Sequence, residues 1–340
     1  MKLITFAVPC YNSEAYMDKC IESILTAGND IEVLIVDDGS TDSTASKADA
    51  YEAQHPGIVK AIHKPNGGHG DAVNAAIDAA TGRYFKVVDS DDWLDKETLA
   101  EVIQLINDME LGGTQIDLLA ANYVYEHVAD GKRHEIKYTH VFPQNQVFGW
   151  DDIGYYLPSQ YLLMHSIIYR TELLKESGVK LPKHTFYVDN IFAFNPLSKV
   201  ERMYYFNRPL YHYYIGRSDQ SVNEAVMISR VDQQIRVTEI MTDHIHSIPK
   251  DSISPKLYKY LLHYLGMMYT VCSALLITEG SEESLAKRDK LWEYCNNTDP
   301  ELHDRLKSQL LVTFTNFKGT LGIKVGSLSY RLMQKIYKFN

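Results

Sequence analysis

Cysteine is scarce and poorly placed for chemistry. The four in these 340 residues, Cys10, Cys20, Cys272 and Cys295, lie far apart, and none has the spacing of a metal knuckle or redox pair. A reduced, cytoplasmic setting is the simplest account. Positive charge is also short: 34 Lys and Arg against 44 Asp and Glu leave a formal net charge of −10. That argues against general nucleic-acid binding, which needs clustered positive charge. Long hydrophobic runs are nearly missing. Residues 3–8, ahead of Pro9, are too few for a secretory apolar core. Residues 260–278 are interrupted by His263 and flanked by Lys259, and their unbroken part falls short of the ~20 residues a spanning helix needs. A buried helix in a soluble chain is the expectation. No Gly-x-Gly-x-x-Gly follows the first apolar run and no Gly-Lys-Ser/Thr is present, which excludes the usual dinucleotide fold and the P-loop.

What is there reads as an ordinary globular protein, 45% hydrophobic and 23% charged, with room for two domains or one large domain and an extension. Apolar strand-like runs at residues 3–8, 31–36, 58–63 and 82–88 alternate with helical periodicities at 14–27 (Ser13 as cap), 43–54 and 70–80. Four such alternations predict a parallel, doubly wound sheet with right-handed crossovers. Polar clusters then follow every strand: Pro9-Cys10-Tyr11-Asn12, Asp37-Asp38-Gly39-Ser40, Lys64-Pro65-Asn66-Gly67-Gly68-His69, and Asp89-Ser90-Asp91-Asp92. Ligands of open α/β sheets bind beyond the carboxyl ends of strands, so four clusters on one edge describe a nucleotide site. Asp89 and Asp91, two apart, would face one side of an extended chain. Two hard oxygen ligands suit Mg²⁺ or Mn²⁺ holding a diphosphate; capping of the helix that opens near Lys96 is the alternative for this acidic run.

These clusters, taken with Asn74, Gly82 and Trp93, resemble in order and spacing a family 2 glycosyltransferase across roughly the first hundred residues. The resemblance implies an inverting GT-A-fold enzyme that uses nucleotide sugars. It places Pro9, Tyr11 and Asn12 in the loop lining the nucleotide, with Lys64, Gly67 and Gly68 in the glycine loop beside it. It gives Asp38 the N3–H of uracil, Asp89 the ribose and metal, and Asp91 the principal metal contact of an Asp-x-Asp motif. Asp92 and Trp93 are expected to be structural. One departure stands out: valine, Val73, occupies the place of the family's usual arginine before Asn74. Lys64, Lys86 or His69 is left as the diphosphate's charge partner, although a loop histidine is as readily just solvated.

Further along, Phe186-Tyr187-Val188-Asp189-Asn190-Ile191-Phe192 resembles the family's Glu-Asp-x-x-Phe segment, with Val188 in place of Glu. An inverting transfer is a single displacement in which one carboxylate takes the acceptor hydroxyl's proton. Asp189 is that candidate base; helix capping is its alternative role. Residues 208–221 resemble the family's closing segment, which makes His212, Arg217 and Ser221 candidate diphosphate or acceptor contacts. The expected division is a GT-A domain over 1–222, with a nucleotide-sugar half (1–110) and an acceptor half (111–222), and a helical C-terminal subdomain over 223–340. Four helices are expected in that subdomain, at 226–245, 255–277 (Ser254 as cap), 282–295 and 301–314. The tail, 318–340, has no acidic residue. It aligns Leu328, Leu332, Ile336 and Phe339 on one helical face, either for membrane-surface contact or for packing.

The resemblance therefore implies transfer of one sugar from a UDP-linked donor, with Mn²⁺ or Mg²⁺, to a glycan, lipid-linked saccharide or glycoprotein. The work would be done in the cytoplasm or at the inner face of the membrane. A sugar-nucleotide nucleotidyltransferase and a non-catalytic nucleotide- or glycan-binding protein are the competing readings. The first lacks its usual Gly-rich loop here, and the second does not account for Asp38, Asp91 and Asp189 together.

Overall fold

The computed structural model describes residues 2–127, 131–158, 160–215 and 224–315. Its contacts group the chain into two compact units, Met1–Gly154 with Leu162–Gly216, and Tyr155–Tyr161 with Arg217–Asn340. The expected acceptor half, 111–222, is therefore split between them.

The first unit opens with β1 (Ile4–Cys10), α1 (Met17–Leu25), β2 (Ile31–Asp37), α2 (Thr44–Gln54), β3 (Val59–His63), α3 (His69–Ala79) and β4 (Tyr84–Val87). It continues with β5 (Trp93–Leu94), α4 (Lys96–Leu111), β6 (Leu118–His127), β7 (Arg133–Ile136) and β8 (Val147–Phe148), then β9 (Ile167–Arg170), α5 (Thr171–Glu176), α6 (Asp189–Phe194) and β10 (Met203–Ile215). The strands form one sheet of order β3-β2-β1-β4-β9-β6-β10-β5, with β7 on β6 and β8 on β10. β3, β2, β1 and β4 run parallel, as do β6 and β10, while β9 is antiparallel to both of its neighbours. The predicted doubly wound, mostly parallel sheet is the one observed. β1 and β2 are buried along nearly their whole length, which is why their sequences are continuous apolar runs rather than alternating ones.

The strand order reverses at β1: β2 and β3 lie to one side and β4 to the other. That reversal opens the crevice where such sheets bind ligands. Register keeps the strand ends level, Cys10 opposite Asp37 and Asp37 opposite His63, so the polar clusters share one edge.

Several local expectations are corrected. β1 runs through Pro9 to Cys10, because its pairing with β4 ends at Ala7 and only the β2 side of the strand remains in the ladder at the proline. Ser13 does not cap α1; its Oγ meets Ser90 Oγ at 2.8 Å and the helix starts at Met17. The cap of α4 is Asp95, whose carboxylate accepts from Thr98 N, rather than Asp91 or Asp92. β4 ends at Val87, and Asp92 N donates to Asp89 O at 3.0 Å, so the carboxylates sit on a turn and not on extended chain. β6 and β7 pair antiparallel, and residues 128–130 of their connection lie outside the described residues.

The second unit is helical: α7 (Glu224–Ser229), α8 (Val231–Ser247), α9 (Pro255–Glu279), α10 (Glu282–Thr298), α11 (Pro300–Lys307) and α12 (Leu310–Thr315). Two helices expected to be continuous are each broken in two, at Arg230 and between Lys307 and Leu310. α9 is capped by Ser254 as expected and stopped by Gly280 at φ +77°. It is the one helix among the described residues long and apolar enough to cross a membrane, but its most apolar 18-residue window is 72% buried within the protein. Tyr269 meets Thr242 of α8 and Trp292 of α10, so α9 is the core of a bundle. The tail at 318–340 lies outside the described residues.

Candidate active site

The loops after β1, β2 and β3 are tied to one another. Asn12, at φ +49°, accepts from Thr41 N at 2.9 Å, and its own N donates to Ser40 Oγ. Pro9 is within β1, while Tyr11 is 53% exposed at the mouth of this edge. Asp38 is 2% exposed and organises the glycine loop. Its Oδ1 accepts from Lys64 Nζ and from Gly67 N, and its Oδ2 from Gly68 N at 2.7 Å. Oδ2 keeps capacity for one more donor, the role the resemblance gives it with uracil. Lys64 is also bound to Asp71 and to the Pro65 carbonyl, so its charge is engaged in the loop.

The carboxylate turn after β4 is anchored from far along the chain. Tyr211 Oη donates to Asp92 Oδ2 at 2.5 Å and accepts from Asp89 N at 3.1 Å, and Tyr214 N donates to Asp92 Oδ1. Asp92 is fully buried, and burial first, then Asp91 and Asp89, holds its carboxyl well above the usual range. The turn thus gathers three carboxyl groups in four residues. Asp91, half-buried, lies between the other two. Lys86 does not supply a charge at the surface: it is fully buried, donates to the His165 and Ile167 carbonyls, and burial lowers its pKa to about 7.

These groups fit a divalent cation. Asp89, Asp92 and His165 each present a ligand atom, all within 4.8 Å of one another. His165 Nδ1 is buried without a hydrogen-bond partner, and burial pushes the ring's pKa down to about 4, which leaves a neutral imidazole. Carboxylate oxygens with an imidazole nitrogen are a donor set for a first-row divalent ion.

Asp189 reaches the same edge from α6, of which it is the first residue. Val188, not Asp189, occupies the cap position, and it makes no side-chain cap bond. Burial raises the Asp189 carboxyl to about 6, the His69 charge pulls it down, and Asp89 pushes it up. His69 opens α3 and holds Asp89 Oδ1 through Nε2 at 2.8 Å. Burial works against the His69 charge, but Asp89, Asp189 and Asp91 outweigh it and raise its pKa. Asn74 fixes the approach to α6, donating to Leu181 O and accepting from Leu181 N. Ahead of Asp189, His184 and Tyr187 hold φ of +48° and +66°, strained values for residues with a Cβ, which concentrate at functional segments.

Among the sequence candidates, Asp89, Asp91, Asp189 and His69 thus form one electrostatic cluster, with Asp38, Lys64, Gly67 and Gly68 as the adjoining loop. Val73 is a buried residue of α3. His212 is bonded to Glu126 of β6 at 2.7 Å and stacked on Trp93 of β5, contacts that join β10 to both neighbours. Arg217 and Ser221 lie outside the described residues. His165 and Tyr211 were not among the candidates; both sit in aromatic-rich stretches where composition gives no functional signal.

Residues 5–172 match the family model of glycosyl transferase family 2. An uncharacterized glycosyltransferase, the MG025 homolog of Mycoplasma pneumoniae, is 30% identical over 228 residues, 64% of this chain and 70% of that protein. The glycosyltransferase GlyG of Streptococcus pneumoniae is 34% identical over 132 residues, 38% of this chain and 42% of GlyG. The uncharacterized glycosyltransferase EpsJ of Bacillus subtilis is 27% identical, and the chain spans 60% of its length. The crystal structure of S. aureus TarS 1–349 in complex with UDP-GlcNAc superposes with a TM-score of 0.71 at 19% identity, over 98% of this chain and 92% of that one. This last likeness concerns the fold, which is of the GT-A type. Family model, relatives and fold agree: the chain belongs to glycosyl transferase family 2.

Proposed function

We propose that the protein is an inverting glycosyltransferase that moves one sugar from a UDP-linked nucleotide sugar to a hydroxyl of a glycan, lipid-linked saccharide or glycoprotein. The observation that carries this reading is the convergence of Asp189 on the Asp89–Asp92 turn, with a carboxyl raised to about 6. A base poised near neutrality beside a donor site is what a single displacement requires. Asp189 takes the acceptor hydroxyl's proton as that oxygen attacks the anomeric carbon and the nucleoside diphosphate leaves. Asp38 receives the uracil N3–H, while Tyr11 and Asn12 line the base. Asp89 and Asp91, with His69 bracing Asp89, hold a Mn²⁺ or Mg²⁺ ion. When bound, that ion neutralises the departing diphosphate as a Lewis acid. The described complex of TarS with UDP-GlcNAc supports a UDP-linked donor. The acceptors named above imply action in the cytoplasm, facing the membrane.

The test is a screen of UDP-, GDP- and dTDP-sugars for metal-dependent hydrolysis and transfer, followed by analysis of the product's anomeric configuration. Turnover of UDP-sugars with inversion is expected. Retention of configuration, or UDP binding without any hydrolysis or transfer, would overturn the reading.

A further inference from the structure

We propose that His165 is a further ligand of the divalent cation held by Asp89 and Asp91, entering the site beside Asp92, and that it makes the site prefer Mn²⁺ to Mg²⁺. The inference deepens the proposed function, resting on its reading of this edge as a metal–nucleotide site. His165 lies in the turn just ahead of β9, which pairs with β4 in the register Tyr84–Arg170 and Phe85–Tyr169. Continued past the ladder, that register brings His165 level with Asp89. Lys86 secures the position, donating to the His165 carbonyl at 2.8 Å.

The ring is held with little freedom. It stacks on Tyr211 at 4.7 Å and 20°, and Tyr213 and Tyr123 pack against it at 4.4 and 6.1 Å. The residue is 6% exposed, yet its Nδ1 has no hydrogen-bond partner among the described residues. A ring that served only as filler would leave that polar atom desolvated and unsatisfied. A ring nitrogen of His165 lies within 4.8 Å of carboxylate oxygens from both Asp89 and Asp92, which gives the imidazole a use. The carboxylates are themselves oriented by outer partners, Asp92 by Tyr211 and Tyr214 N, Asp89 by His69. Such bracing is characteristic of metal ligands. Mg²⁺ favours all-oxygen shells, so a nitrogen in the set shifts selectivity toward transition ions.

The test uses the full chain with His165→Phe, which keeps a ring in the aromatic stack and removes both nitrogens. Mn²⁺ and Mg²⁺ binding are measured by calorimetry on the ions alone, and UDP binding in the presence of each. His165→Phe is expected to weaken Mn²⁺ by about 10–100-fold and leave Mg²⁺ nearly unchanged. Electron paramagnetic resonance of Mn²⁺ on the unmutated protein is expected to show a nitrogen coupling that His69→Gln retains and His165→Phe loses. This measurement decides the matter even if the phenylalanine variant does not fold. Unaltered Mn²⁺ affinity in His165→Phe, or no nitrogen coupling in the unmutated protein, overturns the inference. Absence of UDP binding beside His165-dependent Mn²⁺ binding would remove the nucleotide-sugar reading and leave this one standing.

Discussion

At the scale of single residues, Asp189 is the proposed base. Asp189→Asn preserves shape but cannot accept a proton, so single-turnover transfer should fall by roughly 10²–10⁴ while donor affinity changes little. Near-normal transfer would reduce Asp189 to a structural role. Because the carboxyl is raised to about 6, the unmutated protein should be active above that pH and lose transfer below it. The loss approaches tenfold per pH unit, since only the deprotonated form is a base. A rate profile flat down to pH 4.5 would contradict this. Asp91→Asn should abolish the tightening of UDP by Mn²⁺ with the fold retained; calorimetry with and without metal settles it, and an unchanged metal effect would release Asp91 from the role. Aspartates of this kind were legible from sequence because strand-end clusters announce themselves by position. Tyr211 and His165 were not, because each meets Asp89 through long-range pairing, β10 arriving 122 residues later in the first case and β9 in the second.

At the scale of elements, the glycine loop and α3 act as one clamp. Gly68 has φ +85°, and a Cβ there would stand 3.1 Å from His184 N. Gly68→Ala should therefore lower stability by about 1–3 kcal/mol, read as a drop in thermal midpoint, and should weaken UDP as the Asp38 contacts shift. An unchanged midpoint would mean the loop adapts at no cost. Asn74, which holds Leu181 by two hydrogen bonds, links the donor loop's helix to the segment that delivers Asp189. Asn74→Ala should slow transfer more than it weakens UDP, and an equal loss in both would point to general damage. The early strands and helices were readable because each carries its own period and turn signals. The breaks in the C-terminal helices were not, since neither Arg230 nor the stretch between Lys307 and Leu310 contains a proline or glycine. Helical periodicity passes through such points, and tertiary packing decides where the axis changes.

For the whole molecule, the four cysteines are buried and unpaired, in agreement with a chain that relies on no disulfide. A thiol reagent should therefore label almost nothing in the native state and four sites after denaturation; fast native labelling would show the packing to be looser. The hold of Tyr211 on Asp89 and Asp92 has a further consequence, in the order of synthesis. The ribosome adds 122 residues between Asp89 and Tyr211, roughly 6–24 s at ordinary elongation rates. Until β9 has emerged β4 has one open edge, and until Tyr211 follows it the buried acid of Asp92 has no tyrosine to receive it. The nascent N-terminal half is thus a sheet with an exposed seam and an unfinished carboxylate turn. A chain truncated before β10 would retain the conspicuous sequence motifs of its family and still lack the clasp that sets two of their carboxylates in place.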